Sequence, residues 1–309
     1  LKMNQRIERV RAAMQAQGLT QMIVSDPKSV WYLTGVEVEP YERLLALYLP
    51  VCGEPVLFLN RLFNVPDPPC KAMWHDDVQD PVAQIAGVVD AAATLGIDKE
   101  WPAKFLIPLM QHCPGMRVVL ASDCVDDCRA CKDETEQALM REASRINDEV
   151  NAAVKQYVRV GMTEKQVARF VDEQYLAHGC EGNSFTTIVS FGANAADPHH
   201  EPDNTVLQPG QCVLVDMGCR KNRYCSDMTR TWFAGTPTEK QAAVHELVHR
   251  ANLAAEALVK PGVRLCDVDA AARQVIAQAG YGAYFNHRLG HFIGQTDHEK
   301  GDVSSANTA

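Results

Sequence analysis

Two aspartates separated by a short polar stretch, Asp216 and Asp227, are the first residues whose types and spacing indicate chemistry. Each lies in a run typical of a β-strand, residues 211–217 and 224–233, so the two runs predict a hairpin. The midpoint of the predicted turn places the aspartates directly opposite each other, with β-carbons about 4.5–5.5 Å apart. Such carboxylates repel unless a proton or a cation lies between them, and a divalent metal is the natural cation. A staggered hairpin with one aspartate facing solvent stays open.

Histidines are concentrated in two other segments. Five of the ten histidines lie within residues 199–200 and 287–298. Histidine supplies neutral nitrogen ligands and a group that titrates near neutral pH. Together with the two aspartates, these segments predict a metal-dependent hydrolase.

The elements that position these residues form a weak internal repeat. At an offset of 101 residues, six residues recur: Asn151, Ala153, Val158, Gly161, Val167 and Gly179 match Asn252, Ala254, Val259, Gly262, Val268 and Gly280. Each copy predicts a helix, a Val-x-x-Gly turn, a second helix and a final glycine. Two such copies predict two pseudo-symmetric α/β halves that face each other across a shared site, and chance matching is the alternative.

The N-terminal part of the chain has a different pattern of shorter elements. Apolar spacing predicts helices at 6–17 and 82–95 and strands at 22–24, 44–49, 56–59 and 117–120. A long helix at 135–158 then begins a second pattern. We therefore predict two domains, residues 1–128 and 129–309, of mixed α/β class.

Composition excludes several classes of function. The 309 residues carry 30 Lys and Arg against 39 Asp and Glu, a net charge of −9 that disfavours nucleic acid and anionic membranes as partners. The sequence has no apolar run of the roughly 18 residues that a membrane helix needs. Eleven cysteines without disulfide spacing and a charged N-terminal segment predict a cytoplasmic protein.

Five segments of the second domain follow one another in a specific order. They are FTTIVSFG (185–192), PH (198–199), VLVDMG (213–218), SDMTRT (226–231) and HRLGHFIG (287–294). In this order they resemble the signatures of the pita-bread metallopeptidases, the family of prolidase and Xaa-Pro aminopeptidase. Residues 25–35 resemble the N-terminal domain that these enzymes share with creatinase. The resemblance covers essentially the whole chain and implies a creatinase/prolidase-like α/β domain followed by a pseudo-twofold pita-bread catalytic domain.

The resemblance also implies roles for individual residues. Asp216, Asp227 and His291 match metal ligands, with Asp227 bridging two metals; His199 and His298 match histidines that contact substrate or stabilise developing charge; His287 matches a position beside the site. The implied cofactors are two divalent ions, manganese first, with cobalt, zinc or iron as alternatives. The implied reaction is hydrolysis of the X-Pro bond of dipeptides or peptide N-termini, by a homodimer. Methionine aminopeptidase has no such N-terminal domain and creatinase has no metal site, so both fit less well.

The sequence departs from the family pattern after His291. The family's two remaining ligands are glutamates that follow the histidine ligand by some tens of residues, whereas only residues 292–309 follow it here. Glu299 matches a His-Glu pair outside the ligand set. We therefore expect a C-terminally incomplete catalytic domain, with weak or partial metal occupancy and little activity, and a longer gene product as the active enzyme. The alternative is a non-catalytic family member that serves as a binding module.

Two further motifs could carry other chemistry. Residues 245–249 fit the HExxH pattern of zinc peptidases, on a helix with Thr238 and Gln241 as a capping box. A solvated helix face is the favoured interpretation, because the extended motif with a third ligand does not follow. Cysteines at 124, 128 and 131 have the spacing of an iron–sulfur motif. That spacing is also one face of a helix, so buried structural thiols are the favoured interpretation.

Overall fold

A computed structural model describes residues 3–309. The chain divides between Lys132 and Asp133 into two compact units. In residues 3–309 no helix combines the length and the apolar character needed to cross a membrane.

The first unit is a six-stranded mixed sheet with helices on both faces. Its elements are α1 (Met3–Ala16), β1 (Gln21–Val24), α2 (Pro27–Thr34), β2 (Ala46–Pro50), β3 (Val56–Asn60), β4 (Lys71–His75), α3 (Pro81–Ala86), β5 (Leu95–Ile97), α4 (Ala103–His112), β6 (Val118–Leu120) and α5 (Asp123–Ala130). The strand order is β4-β3-β2-β1-β5-β6. Because side chains alternate along a strand, Met22 and Val24 pack in the core beneath α1, α2 and α5, whereas Ile23 packs beneath α3 and α4.

The predicted helix at 82–95 is wrong in its second half. Asp80 caps the helix with its side chain and Pro81 follows it, so α3 begins as the sequence suggests. The helix ends at Ala86 before Gly87, and Leu95 already begins β5, whose pairing with β1 is parallel. Periodicity missed this because helical and strand residues in a short apolar stretch look alike.

Helix α5 belongs to the first unit. Cys124, Val125 and Cys128 are buried in the core that α1 and α2 also line. The predicted boundary after residue 128 falls inside this helix, and the assignment of 1–128 and 129–309 as domains stays a prediction.

The second unit contains long helices packed on short antiparallel sheets. Its elements are α6 (Glu134–Tyr157), α7 (Glu164–Ala177), β7 (Gly182–Asn183), β8 (Ile188–Phe191), β9 (Cys212–Met217), β10 (Cys219–Lys221), β11 (Tyr224–Cys225), β12 (Met228–Phe233), α8 (Glu239–Glu256), α9 (Leu265–Gln278), β13 (Gly290–Phe292) and β14 (Glu299–Val303). The sheets are β12-β9-β8, β11-β10-β7 and β13-β14. Helices α6 and α7 bury their apolar faces on β8 and β9, and α8 packs on α9 through small residues such as Ala251 and Ala272.

Both copies of the repeat have the predicted order of helix, turn, helix and glycine. Helices α7 and α9 begin and end at positions that differ by the same 101 residues found in the sequence. The turns before them contain Gly161 and Gly262, with φ of 93° and 83°. Such positive φ values favour glycine, which explains why both copies keep it.

Candidate metal centre

The hairpin that carries the two aspartates has a different register from the predicted one. Its turn residues are Asn222 and Arg223, both with positive φ, so the turn centre lies one residue further along the chain. Asp216 is therefore opposite Thr229, and Asp227 is displaced by two positions. The prediction of directly opposed aspartates is wrong. Because a displacement of two positions keeps the same face of a strand, both side chains still line one cleft.

The hairpin is interrupted where Gly218 meets Ser226. A β-carbon on Gly218 would overlap the Ser226 carbonyl oxygen and the Ser184 hydroxyl. That hydroxyl donates to the Ser226 oxygen at 2.7 Å, and the Ser184 N–H donates to the Gly218 oxygen at 2.9 Å. Only glycine allows this close approach, which breaks the ladder and leaves Asp227 just before β12.

Asp216 offers an acceptor that the described protein atoms leave unused. Burial raises the pKa of Asp216, with a further increase from the charge of Asp227, while Thr229 and His291 lower it. Among residues 3–309, no hydrogen-bond donor reaches its buried Oδ1 atom. A buried acceptor without a partner costs about 1–3 kcal/mol, and a cation held against this oxygen would remove that cost.

His291 on β13 lies beside Asp227. Its Nε2 is 3.2 Å from Asp227 Oδ2, and this contact raises the pKa of His291. Its Nδ1 donates to the Phe292 carbonyl oxygen at 3.1 Å, which orients the ring. A histidine held through Nδ1 presents Nε2 to a metal, so His291 is oriented as a ligand.

A cleft of about 410 Å³ joins these three side chains to two predicted substrate histidines. His199 and His298 both line it. The His298 ring lies against His291, with centroids 3.9 Å apart, and its Nδ1 accepts from Arg288 at 3.0 Å. Since Nδ1 is the acceptor, His298 presents an Nε2–H donor.

His287 lies apart from the cleft lining. Its ring is exposed and packs edge-on against Phe285, and its Nδ1 donates to the Arg288 carbonyl oxygen at 2.6 Å. A role beside the site stays a prediction for His287.

Comparison with known proteins identifies the family of the chain. Metallopeptidase family M24 matches residues 138–309, and the creatinase/prolidase N-terminal domain matches residues 6–131. The chain belongs to metallopeptidase family M24. Peptidases of this family are dinuclear metal enzymes, and the predicted fold of a creatinase-like domain followed by a pita-bread catalytic domain is confirmed.

Relatives of this M24 chain match it over nearly its whole length. An uncharacterized peptidase from Staphylococcus epidermidis is 32% identical over 98% of this chain and 87% of its own. The prolidase from Thermococcus sibiricus has a TM-score of 0.94 at 28% identity, covering 100% of this chain and 86% of that one. The dipeptidase PepE from Mycobacterium ulcerans has a TM-score of 0.93 at 34% identity, covering 99% and 85%.

A second polar cluster in the M24 unit was not predicted from the sequence. Within residues 3–309, the only three acidic, histidine or cysteine side chains whose ligand atoms converge within 4.8 Å are Glu164, His200 and Asp203. Asp216, Asp227 and His291 are less tightly gathered. The available signal was His200 beside His199, but sequence could not show that the start of α7 meets it.

The two alternative motifs have structural explanations. His245, Glu246 and His249 are exposed on α8, and His245 Nε2 donates to the Thr231 carbonyl oxygen at 3.1 Å. The capping box of Thr238 and Gln241 forms as predicted. This arrangement fits the solvated helix face and not a zinc peptidase.

The three spaced cysteines are not equivalent. Cys124 and Cys128 are buried, and burial raises the pKa of Cys124 to about 11, so this thiol stays protonated. Cys131 is exposed beyond the end of α5, which corrects the prediction of three buried thiols. Among residues 3–309, no disulfide joins any of the eleven cysteines.

Proposed function

We propose that the chain is a dinuclear-metal hydrolase that cleaves the X-Pro bond of dipeptides or of peptide N-termini. The observation that carries this proposal is the buried Oδ1 of Asp216, which lacks a hydrogen-bond donor among the described residues and lies at a cleft shared with Asp227 and His291. Similarity to a prolidase and a dipeptidase supports the substrate class. Manganese is the proposed metal.

The residues of the cleft divide the work of hydrolysis. Divalent ions supply Lewis acidity at the scissile carbonyl and lower the pKa of the attacking water. Asp216, Asp227 and His291 would hold them. We propose that the Nε2–H of His298 donates to the substrate carbonyl oxygen as it gains charge. His199, on the opposite segment, binds and orients the peptide.

The cleft also has an apolar part. Phe185, Ile188 and Pro198 line it beside the histidines. Such side chains fit the ring of a substrate proline. We further propose a cytoplasmic homodimer; the lack of disulfides among the described cysteines supports the location, and the family resemblance suggests the dimer.

A non-catalytic binding module is the second candidate function. The cleft offers three candidate ligand side chains, Asp216, Asp227 and His291, so metal binding by the 309-residue chain is the property that separates the two candidates. With three ligand side chains we propose weak or partial metal occupancy by this chain.

Calorimetric titration with Mn²⁺ tests the metal centre. Weak binding that disappears in Asp227→Asn, with no change in the exposed control Asp148→Asn, is the expected result. Tight binding of two ions would contradict the three-ligand assignment, and no binding at all would favour the binding module.

Substrate choice is tested with Mn²⁺ and two peptides. Hydrolysis of an X-Pro dipeptide but not of an X-Pro-Y tripeptide indicates a dipeptidase, and the reverse indicates an aminopeptidase. If peptides without proline are cleaved as fast as the X-Pro peptides, the X-Pro assignment is wrong.

A further inference from the structure

A fully buried carboxylate at the start of α7 lies outside the proposed metal centre. Glu164 is 0% exposed, yet its two oxygens are surrounded by donors. Oε1 accepts from the Phe191 N–H (2.8 Å) and the Asn194 side-chain amide (2.9 Å); Oε2 accepts from His200 Nε2 (2.7 Å) and the Asp203 N–H (3.1 Å). All four donors belong to residues 191–203, the segment that carries His199.

The same end of α7 also holds this segment through its backbone. The Glu164 N–H donates to the Thr205 carbonyl oxygen at 3.2 Å, and the Lys165 N–H donates to that of Asp203 at 3.1 Å. The Asn194 amide reaches the Thr205 hydroxyl at 3.2 Å. The segment is therefore closed into a loop, with one carboxylate at its centre.

The convergence of Glu164, His200 and Asp203 could suggest a metal site. Each oxygen of Glu164 already accepts two hydrogen bonds, and because a carboxylate only accepts, His200 Nε2 is the donor in its contact with Oε2. A cation at this point would have to displace these donors and leave buried N–H groups without partners, which is costly. The cluster is built as a structural anchor.

We propose that Glu164 is a positioning residue, which fixes the loop of residues 191–203 so that His199 stays at the wall of the cleft. The inference rests on the proposed function, because that function gives His199 its contact with substrate. Of the residues that bind Glu164, His200 is the one next to His199 in the chain. The charged form of His200 binds the carboxylate most strongly. Glu164 itself lies too deep to touch a peptide in the cleft.

Hydrogen exchange on the 309-residue chain tests the anchor. Glu164→Gln keeps the size of the side chain but removes its charge, and Glu173→Gln is the matched control at an exposed position of the same helix. We expect the Phe191 and Asp203 amides to exchange about tenfold faster in Glu164→Gln, because charged hydrogen bonds are lost locally. Helix α9 should exchange as in the unchanged chain.

Two spectroscopic readouts separate positioning from a general structural role. In the unchanged chain the contact with Glu164 raises the pKa of His200, and Glu164→Gln should return it toward the ordinary value in an imidazole NMR titration. Added Mn²⁺ should broaden the ring signals of both His199 and His291. In Glu164→Gln the broadening of His199 should weaken while that of His291 remains.

If Glu164→Gln does not fold, His200→Gln serves instead, with faster exchange at Asp203 expected and unchanged exchange overturning the proposal. Mn²⁺ binding that survives Asp227→Asn but is lost in Glu164→Gln would also overturn it, by showing a metal site at the cluster. If Mn²⁺ broadens neither His199 nor His291, the proposed metal centre fails, while the exchange result still decides the role of Glu164.

Discussion

The two halves of the catalytic unit hold their histidine segments in different ways. In the first half, the buried Glu164 binds the loop of residues 191–203 directly. In the second half, the buried Asp269 on α9 accepts the Leu289 N–H at 3.1 Å and binds Arg273 through two hydrogen bonds of 2.8 Å. Arg273 then donates to the carbonyl oxygens of residues 285 and 287, each at 2.8 Å.

The two anchors differ in the cationic side chain that binds the buried carboxylate, which is His200 for Glu164 and Arg273 for Asp269. Histidine is a group whose charge depends on pH, and the contact with Glu164 raises the pKa of His200, whereas the guanidinium of Arg273 keeps its charge throughout the physiological range. The first loop is therefore held by a pair that responds to pH, and the second by one that does not. One repeated framework can therefore give its two histidine segments different sensitivities to pH.

The largest expected effect comes from breaking the anchor of the second half. Asp269→Asn removes a fully buried charge and leaves Arg273 without its partner. We expect a loss of about 2–3 kcal/mol in thermal unfolding, below the range for fully buried pairs because Arg273 is about one-third exposed. Asp267→Asn, which removes the exposed pair with Arg264, should cost much less than Asp269→Asn, because solvent screens this pair. Equal costs would show that the anchor is no stronger than a surface ion pair.

Glycines in the two hairpins that carry the candidate metal ligands should also differ. Gly218→Ala forces a β-carbon onto the Ser226 carbonyl oxygen and should cost about 2 kcal/mol, with loss of Mn²⁺ binding because Asp227 moves. In Gly290→Ala the added carbon meets only the Val303 side chain at 3.8 Å, so a cost within about 0.5 kcal/mol is expected. Tolerance of Gly218→Ala in both measurements would contradict the close approach.

The turn glycines test whether the halves are equivalent where the repeat says they are. Gly161 and Gly262 both have positive φ, and a β-carbon at either would meet no atom within 4 Å in the described part of the chain. Gly161→Ala and Gly262→Ala should each cost about 1 kcal/mol, from backbone conformation alone. Clearly different melting temperatures for the two variants would show that the two turns are not equivalent.

The smallest expected effect is a dependence on pH that is confined to the first half. Glu164 is the main cause of the raised pKa of His200, opposed by burial and assisted by the charges of Asp203 and Asp197. Charged His200 therefore stabilises the loop below the ordinary histidine pKa of about 6.5, and this stabilisation is lost as pH rises through the folded value.

Hydrogen exchange corrected for intrinsic rates measures this dependence. Protection of residues 191–203 should fall with rising pH by less than about tenfold, while residues 285–289 keep theirs. His200→Gln should abolish the dependence. The same fall in both segments would show that the histidine pair does not set it.

Much of the scaffold was predictable because local signals carried it. The spacing of the repeat predicted α7 and α9, and the capping residues Thr163 and Thr238 mark the starts of helices. The second half of the helix at 82–95 was not predictable, because only pairing with β1 made Leu95 a strand residue.

The candidate site divides in the same way. The residue types of Asp216, Asp227 and His291 pointed to a metal from the sequence. The sequence misplaced the turn by one residue, because the left-handed conformation of Asn222 and Arg223 sets the register. No signal in the sequence indicated the role of Glu164, because the residues that bind its carboxylate lie 27 to 39 positions further along the chain.

The sequence by itself determined the class of this protein: its two-part α/β fold, its repeat, its family and the three side chains that could bind metal. Only the tertiary structure decided that Asp216 stands opposite Thr229, that His287 lies apart from the cleft, and how each histidine segment is held. The reason is physical. Residue type and periodicity are local properties, whereas register, burial and the partners of a buried carboxylate depend on contacts between residues distant in the chain.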